Sequence, residues 1–201
     1  YTVSDIVMIG ISSEIGKDVL DGSVAVNLIK PVNYRLYLTF KSLGVMIYRV
    51  VVPSVFIWTG LEVYKVTELG MPVIRPLSLL CFLVSMVFSF FVYVFFDYCF
   101  GMLAFVTTYI FGMNIMKNAA LNLLSGRLMP VSFFPAVIQE IFSFLPFTAM
   151  TYVPVMIYLG KYTGAEVLGQ LGKQVFWAVA LYLAGSLLWK KIEKRIVVLG
   201  G

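Results

Sequence analysis

Histidine is absent from the 201 residues of this chain, and charged residues make up only 12% of them. Haem ligation, di-iron sites and imidazole-based acyl transfer all depend on histidine, so its absence counts against these chemistries. Soluble domains carry about 25% charged residues, whereas 61% of this chain is hydrophobic. The composition therefore predicts an all-α membrane protein with several spans.

The sequence also has few of the groups that catalysis requires. Its two cysteines, Cys81 and Cys99, lie in apolar runs without CxxC spacing, which predicts buried apolar side chains that neither ligate a metal nor form a disulfide. A phosphate-binding P-loop is also missing, because the nearest match, Gly16-Lys17, is followed by Asp18 where Ser or Thr must hold Mg²⁺. No Ser/His/Asp set and no carboxylate pair for hydrolysis is evident. We therefore expect no enzyme activity and no cofactor or metal in this chain.

The net charge of +5 does not indicate a nucleic-acid partner, because the basic residues lie at the ends of apolar runs. At such positions Lys and Arg set the topology and meet lipid head groups. The expected surroundings are a lipid membrane, with no nucleic acid.

The most polar stretch is residues 12–41, which mixes acidic, basic and apolar residues. Ile11, Ile15 and Val19 recur every four residues, which predicts a short amphipathic helix. Asp21-Gly22 is expected to end it, and Pro31 marks a second break. Such a helix between membrane spans is where the chain would meet a soluble partner. The alternative is an interfacial helix that only anchors a loop.

Hydropathy divides the chain into residues 1–42, which are expected to hold the end of a preceding span and this polar segment, and a transmembrane domain of residues 43–201. The predicted spans are residues 43–60, 77–96, 102–124 and 172–189. Asp97 to Gly101 is predicted to be a tight turn between two spans. In the alternative, Asp97 is buried in the bilayer, where a carboxylate is costly and therefore functional by default.

The third predicted span carries a polar stripe, because Asn114, Asn118 and Asn122 repeat every four residues with Lys117 beside them. A lipid-facing stripe of this kind would be unfavourable, so it must face protein or water. Hydrogen bonding between helices and lining of a substrate path are both compatible with the pattern.

Residues 127–160 differ from the spans because prolines cut them into short apolar pieces. Pieces of about 10–14 residues are more typical of re-entrant segments than of spans, which predicts an external helical hairpin. Its prolines are Pro130, Pro135, Pro146 and Pro154.

The basic residues after the last span indicate orientation. Lys190, Lys191, Lys194 and Arg195 predict a cytoplasmic C-terminus by the positive-inside rule. Four spans then place residues 12–41 in the cytoplasm and the hairpin outside.

The chain resembles the permease subunit of a bacterial type-2 ABC exporter. The resemblance is carried by E-I-x-x-D-V-L-D-G-x-x-x-x-x-L-I-K-P-V-N from Glu14 and by M-K-N-A-x-L-N-L-L-S-G from Met116. It continues with M-P-V-S-F-F-P from Met129, L-P-F from Leu145, Y-x-P from Tyr152 and I-Y-L-G-K from Ile157. Each motif alone is weak, but their order and spacing run through nearly the whole chain.

The resemblance implies a six-span permease in the bacterial cytoplasmic membrane, so the first span and most of the second are expected to precede Tyr1. It implies a coupling helix that docks on a separate ATPase subunit, where ATP and Mg²⁺ bind. It also implies a second permease subunit, either identical or a similar paralogue, and a hairpin that caps the translocation path.

Two groups of residues are then expected to carry the function. The path residues are Asn114, Lys117, Asn118 and Asn122. The residues expected to couple the chain to the ATPase are Glu14, Ile15, Lys17, Asp18, Asp21, Gly22, Lys30 and Pro31. A channel or secondary carrier that works without ATP, and a membrane scaffold that transports nothing, are the alternatives. The substrate is not indicated by the sequence.

Overall fold

The computed structural model describes residues 10–68, 70, 76–107, 110–129 and 131–199, and within these ranges the regular structure is helical with no strand. The predicted all-α class is confirmed. The first helices are α1 (Ile11–Leu20), α2 (Ser23–Ile29), α3 (Tyr34–Met46) and α4 (Val52–Thr67), the last two joined by a π-helical segment, Ile47–Val51. They are followed by α5 (Pro76–Gly101), α6 (Ile110–Leu124), α7 (Ala136–Phe144), α8 (Pro146–Met150), α9 (Tyr152–Tyr158) and α10 (Ala165–Leu199).

Two helical stretches of the described residues, Pro76–Phe105 and Ala165–Glu193, are long and apolar enough to cross a membrane. They contain the predicted spans 77–96 and 172–189. Large apolar side chains remain exposed on both, including Leu77 and Leu187. An apolar outer surface is what lipid requires and what a soluble domain avoids.

Helices α5 and α10 pack side by side and share the most extensive contact between two helices of the described residues. Phe90, Tyr93 and Tyr98 of α5 are almost fully buried there. Close approach is possible because α10 has a glycine, Gly185, where a Cβ atom would lie 3.0 Å from the Tyr98 ring. Gln174 of α10 is also fully buried and accepts a hydrogen bond from the Ser85 hydroxyl at 3.0 Å. Polar bonds of this kind hold helices together in lipid, where apolar burial alone gives little preference.

The turn predicted at Asp97 to Gly101 is wrong. Helix α5 continues through Gly101, and a short 3₁₀ turn, Met102–Phe105, extends it before α6 begins at Ile110. The predicted span 102–124 therefore begins too early. The helix can carry Asp97 in apolar surroundings because its charge has partners on two other helices.

Helix α1 matches its prediction. Ile11 and Ile15 are buried and Val19 is half-buried, so the apolar stripe faces the protein. The helix ends before Gly22, whose φ of 71° is the left-handed conformation that glycine adopts at little cost.

The region predicted as a hairpin holds three short helices, α7 to α9. Pro135 caps the start of α7, Pro146 is the first residue of α8, and Pro154 is buried within α9. Pro130 lies outside the described residues. Helix α9 packs on the first part of α5, with the Phe82 and Tyr158 rings 5.3 Å apart. Helix α1 packs on the other end of α5, so α1 and α9 lie at opposite ends of it.

Candidate functional site

The first turn of α1 lies directly on a buried ion pair between α5 and α6. The Lys117 ammonium donates to Asp97 Oδ1 and, at 2.6 Å, to the Ser12 hydroxyl. The Ser12 backbone N–H donates to the second carboxylate oxygen, Asp97 Oδ2, at 2.9 Å. Asp97 and Ser12 are fully buried, and Lys117 is 6% exposed. We call these three residues the polar joint.

Burial makes each charge of the polar joint dependent on the other. An unpaired charge in an apolar interior costs several kcal/mol, and a pair offsets this cost only when hydrogen bonds satisfy the remaining oxygens and protons. Both Asp97 oxygens are satisfied here. The carboxylate also lies at the N-terminal end of α1, where the helix dipole favours negative charge. The joint therefore fixes α1 to α5 and α6 at one point.

Asn114 extends the polar joint by one turn of α6. Its Oδ1 accepts from the Ser12 hydroxyl at 2.8 Å, and its Nδ2 donates to the Ser13 hydroxyl at 3.2 Å. The other stripe residues are placed differently, since Asn118 and Asn122 are half-buried and Asn122 Oδ1 accepts a long bond of 3.4 Å from Arg127. Asn114 and Lys117 thus form hydrogen bonds between helices, whereas Asn118 and Asn122 lie further along α6.

Two glycines allow α1 to approach the membrane helices so closely. A Cβ atom at Gly16 would lie 2.3 Å from Ile110 Cγ2. One at Gly101 would lie 2.6 Å from Ile15 Cδ1 and 3.0 Å from the Ser12 Cα. The distances of 2.3 and 2.6 Å are shorter than carbon atoms tolerate, so side chains at these two positions would push α1 away from α5 and α6.

The acidic residues of α1 bind within the polar segment. Glu14 pairs with Lys41 of α3, and Asp18 Oδ2 accepts from the Tyr34 hydroxyl at 2.7 Å. Asp18 also accepts hydrogen bonds from the Ser23 hydroxyl and the Asn27 amide of α2. Asp18 thereby joins α1, α2 and α3.

Burial and the neighbouring Asp18 carboxylate raise the pKa of the Tyr34 hydroxyl above its usual value. The hydroxyl therefore stays protonated and remains a donor to Asp18 throughout the physiological pH range. The hydrogen bond to Glu14 likewise raises the pKa of Lys41, which keeps its ammonium group charged.

The residues expected to meet an ATPase thus fall into three sets. Ile15 is buried against the membrane helices, and Glu14 and Asp18 are half-buried and bonded within the chain. The remaining ones are exposed: Lys17, Asp21, Gly22, Lys30 and Pro31. Leu20, which the sequence reasoning did not single out, is 64% exposed beside them. We call Lys17 and Leu20, together with Asp21 at the C-terminal cap of the helix, the outer face of α1.

Sequence reasoning considered Asp97 and Lys117 separately and missed Ser12. The sequence did contain a signal for the Asp97–Lys117 pair. Each is a charged residue in an apolar stretch and needs a partner, and the two carry opposite charge. Ser12 gave no such signal, because its contribution is partly a backbone N–H group, which every residue except proline has.

The described structure is thus an all-helical membrane protein in which a polar helix is bonded to buried charges of the apolar helices. The family model of the ABC-2 family transporter protein matches residues 2–197, and the chain belongs to this family. Neither a curated protein nor a solved structure matches the chain.

Proposed function

We propose that this transporter-family chain is the permease subunit of an ATP-driven exporter and that α1 is its coupling helix. The ATP and Mg²⁺ would bind in a separate ATPase subunit, and a second permease subunit would complete the path. The observation that supports the proposal most is the polar joint, because it connects a helix with an exposed polar face to two apolar helices through buried, charged hydrogen bonds.

The proposed mechanism follows from the position of α1. Movement of an ATPase subunit against the outer face of α1 would move the whole helix, because the bonds of Glu14 and Asp18 hold α1, α2 and α3 together. The polar joint would pass the movement to α5 and α6. Packed interiors shift between discrete arrangements, so a small displacement at α1 would reorient these helices as units.

The path in this proposal runs beside α6. Asn118 and Asn122 are half-buried and lie on the part of α6 beyond the polar joint. Substrate would pass this face and leave beneath the short helices α7 to α9. The export direction rests on an orientation in which the C-terminus and α1 are cytoplasmic, as the basic residues after the last predicted span indicate.

The proposal is tested by co-purification from native membranes. We expect a P-loop ATPase to accompany the chain and to hydrolyse ATP in the purified complex. Exchanging the outer-face charges with Lys17→Glu and Asp21→Lys preserves the net charge, leaves the buried residues untouched and should release the ATPase. The matched control exchanges two exposed charges after α9, with Lys161→Glu and Glu166→Lys, and should retain the ATPase.

The alternatives give different results in the same experiment. Flux without any ATPase would indicate a channel or secondary carrier. A stable complex with neither flux nor ATP hydrolysis would indicate a scaffold. Either result would contradict the proposal.

A further inference from the structure

An apolar crevice of about 160 Å³ lies between α3, α5 and α10, with an arginine at its rim. Its walls are Leu43 and Phe40 of α3, Phe90, Phe91 and Phe95 of α5, and Tyr182 of α10. Small-molecule sites measure about 300–1,000 Å³, so this crevice is too small for a ring system of drug size. A narrow apolar slot between helices suits part of a flexible hydrocarbon chain.

Arg35 supplies the polar group at this crevice. Its Nη1 donates to the Tyr182 carbonyl at 3.0 Å and to the Ser186 hydroxyl, and its guanidinium carbon lies 3.8 Å from the centre of the Tyr182 ring. These contacts hold the group in one position. No carboxylate in the described part of the chain lies within ion-pair distance of it, so its charge has no counter-ion from the described residues.

The surroundings of Arg35 are also basic. Helix α10 continues from Ser186 to Lys190 and Lys191, both exposed. Lys41 of α3 does not add to this charge, because it pairs with Glu14. A half-buried cation held over an aromatic ring, beside an apolar slot and further basic residues, complements an anionic amphiphile.

We propose that this crevice binds an anionic phospholipid, with one acyl chain between α3 and α5 and the phosphate at Arg35. The lipid fits because it supplies both the apolar chain and the missing negative charge. Bound there, it would fill the slot between α3 and α5 and strengthen the contact of these helices, which are otherwise in limited contact.

Native mass spectrometry of the purified protein tests the proposal, with phosphatidylglycerol and phosphatidylcholine of the same acyl chains as probes. One basic residue near a membrane surface contributes about 1 kcal/mol, which is about fivefold in affinity. We therefore expect phosphatidylglycerol to bind about fivefold more tightly. Arg35→Gln should remove this preference, whereas Arg49→Gln, which removes an exposed arginine further along the same helical stretch, should leave it unchanged.

A second variant tests the binding of the acyl chain separately from that of the head group. Leu43→Trp fills the slot but retains Arg35, so it should weaken the binding of both lipids. It also keeps the test decisive if Arg35→Gln fails to fold. Equal binding of the two lipids to the unaltered protein would overturn the proposal, as would displacement of the lipid by free glycerol phosphate. Unchanged lipid binding by Leu43→Trp would overturn it too, because the lipid would then not occupy the slot. That result would also be expected if another protein segment covered the crevice.

Discussion

At the scale of single residues, the polar joint makes Asp97 and Lys117 depend on each other. Replacing one member of a buried ion pair leaves the other charge uncompensated, which costs about 3–5 kcal/mol, whereas replacing both can be nearly neutral. Asp97→Asn and Lys117→Met should therefore each lower the unfolding temperature strongly, and the double variant should recover much of the loss. Thermal unfolding of the purified protein measures this coupling. Additive losses would show that the pair is not a unit.

The incorrect prediction of a turn at Asp97 shows the limit of sequence-based prediction for single residues. Placing an acid at a turn avoids the cost of burying it, and nothing local to Asp97 argues otherwise. The partners that make burial tolerable lie 20 residues away at Lys117 and 85 residues away at Ser12. Partners so distant in sequence are not visible to local reasoning. The stripe at Asn114 was recognised, because its spacing is local, but the residues it bonds were not.

At the scale of elements, the close fit of α1 against α6 predicts that Gly16 of α1 and Gly44 of α3 respond oppositely to replacement by alanine. Alanine at Gly44 meets no atom within 4 Å, so better helix propensity should stabilise the protein by about 0.5–1 kcal/mol. Alanine at Gly16 collides with Ile110, and overpacking costs about 1–3 kcal/mol. Unfolding temperatures of Gly16→Ala and Gly44→Ala should therefore move in opposite directions. A rise in both would mean that α1 is not seated against α6.

Helices were predicted best where the sequence shows a hydrophobic period or a residue that ends a helix. The stripe of Ile11, Ile15 and Val19 predicted the buried face of α1, and the glycine after Asp21 predicted its end to within a residue. The start of α6 was missed because the apolar run continues past the end of α5. Hydropathy shows which side chains suit lipid, but it does not show where the backbone reverses within an apolar run.

At the scale of the whole molecule, the contacts separate two ends. At one end, α1 lies on Asp97, and Trp189 of α10 packs against Tyr34 with ring centres 5.8 Å apart. At the other end, the Tyr158 hydroxyl donates to Glu62 at 2.9 Å and joins α9 to α4. By the positive-inside rule, the end at α1 is predicted to face the cytoplasm and the end at α9 the outside. The assignment of one end to the cytoplasm stays a prediction.

We propose that the outer face of α1 contacts an ATPase, and photo-crosslinking in native membranes tests this contact most directly. A photoreactive amino acid would replace Leu20, which is 64% exposed, and in a separate sample Leu159, which is 57% exposed at the end of α9. The account predicts an adduct with a P-loop ATPase from position 20 and none from position 159. No ATPase adduct from position 20, or an equal one from position 159, would contradict it.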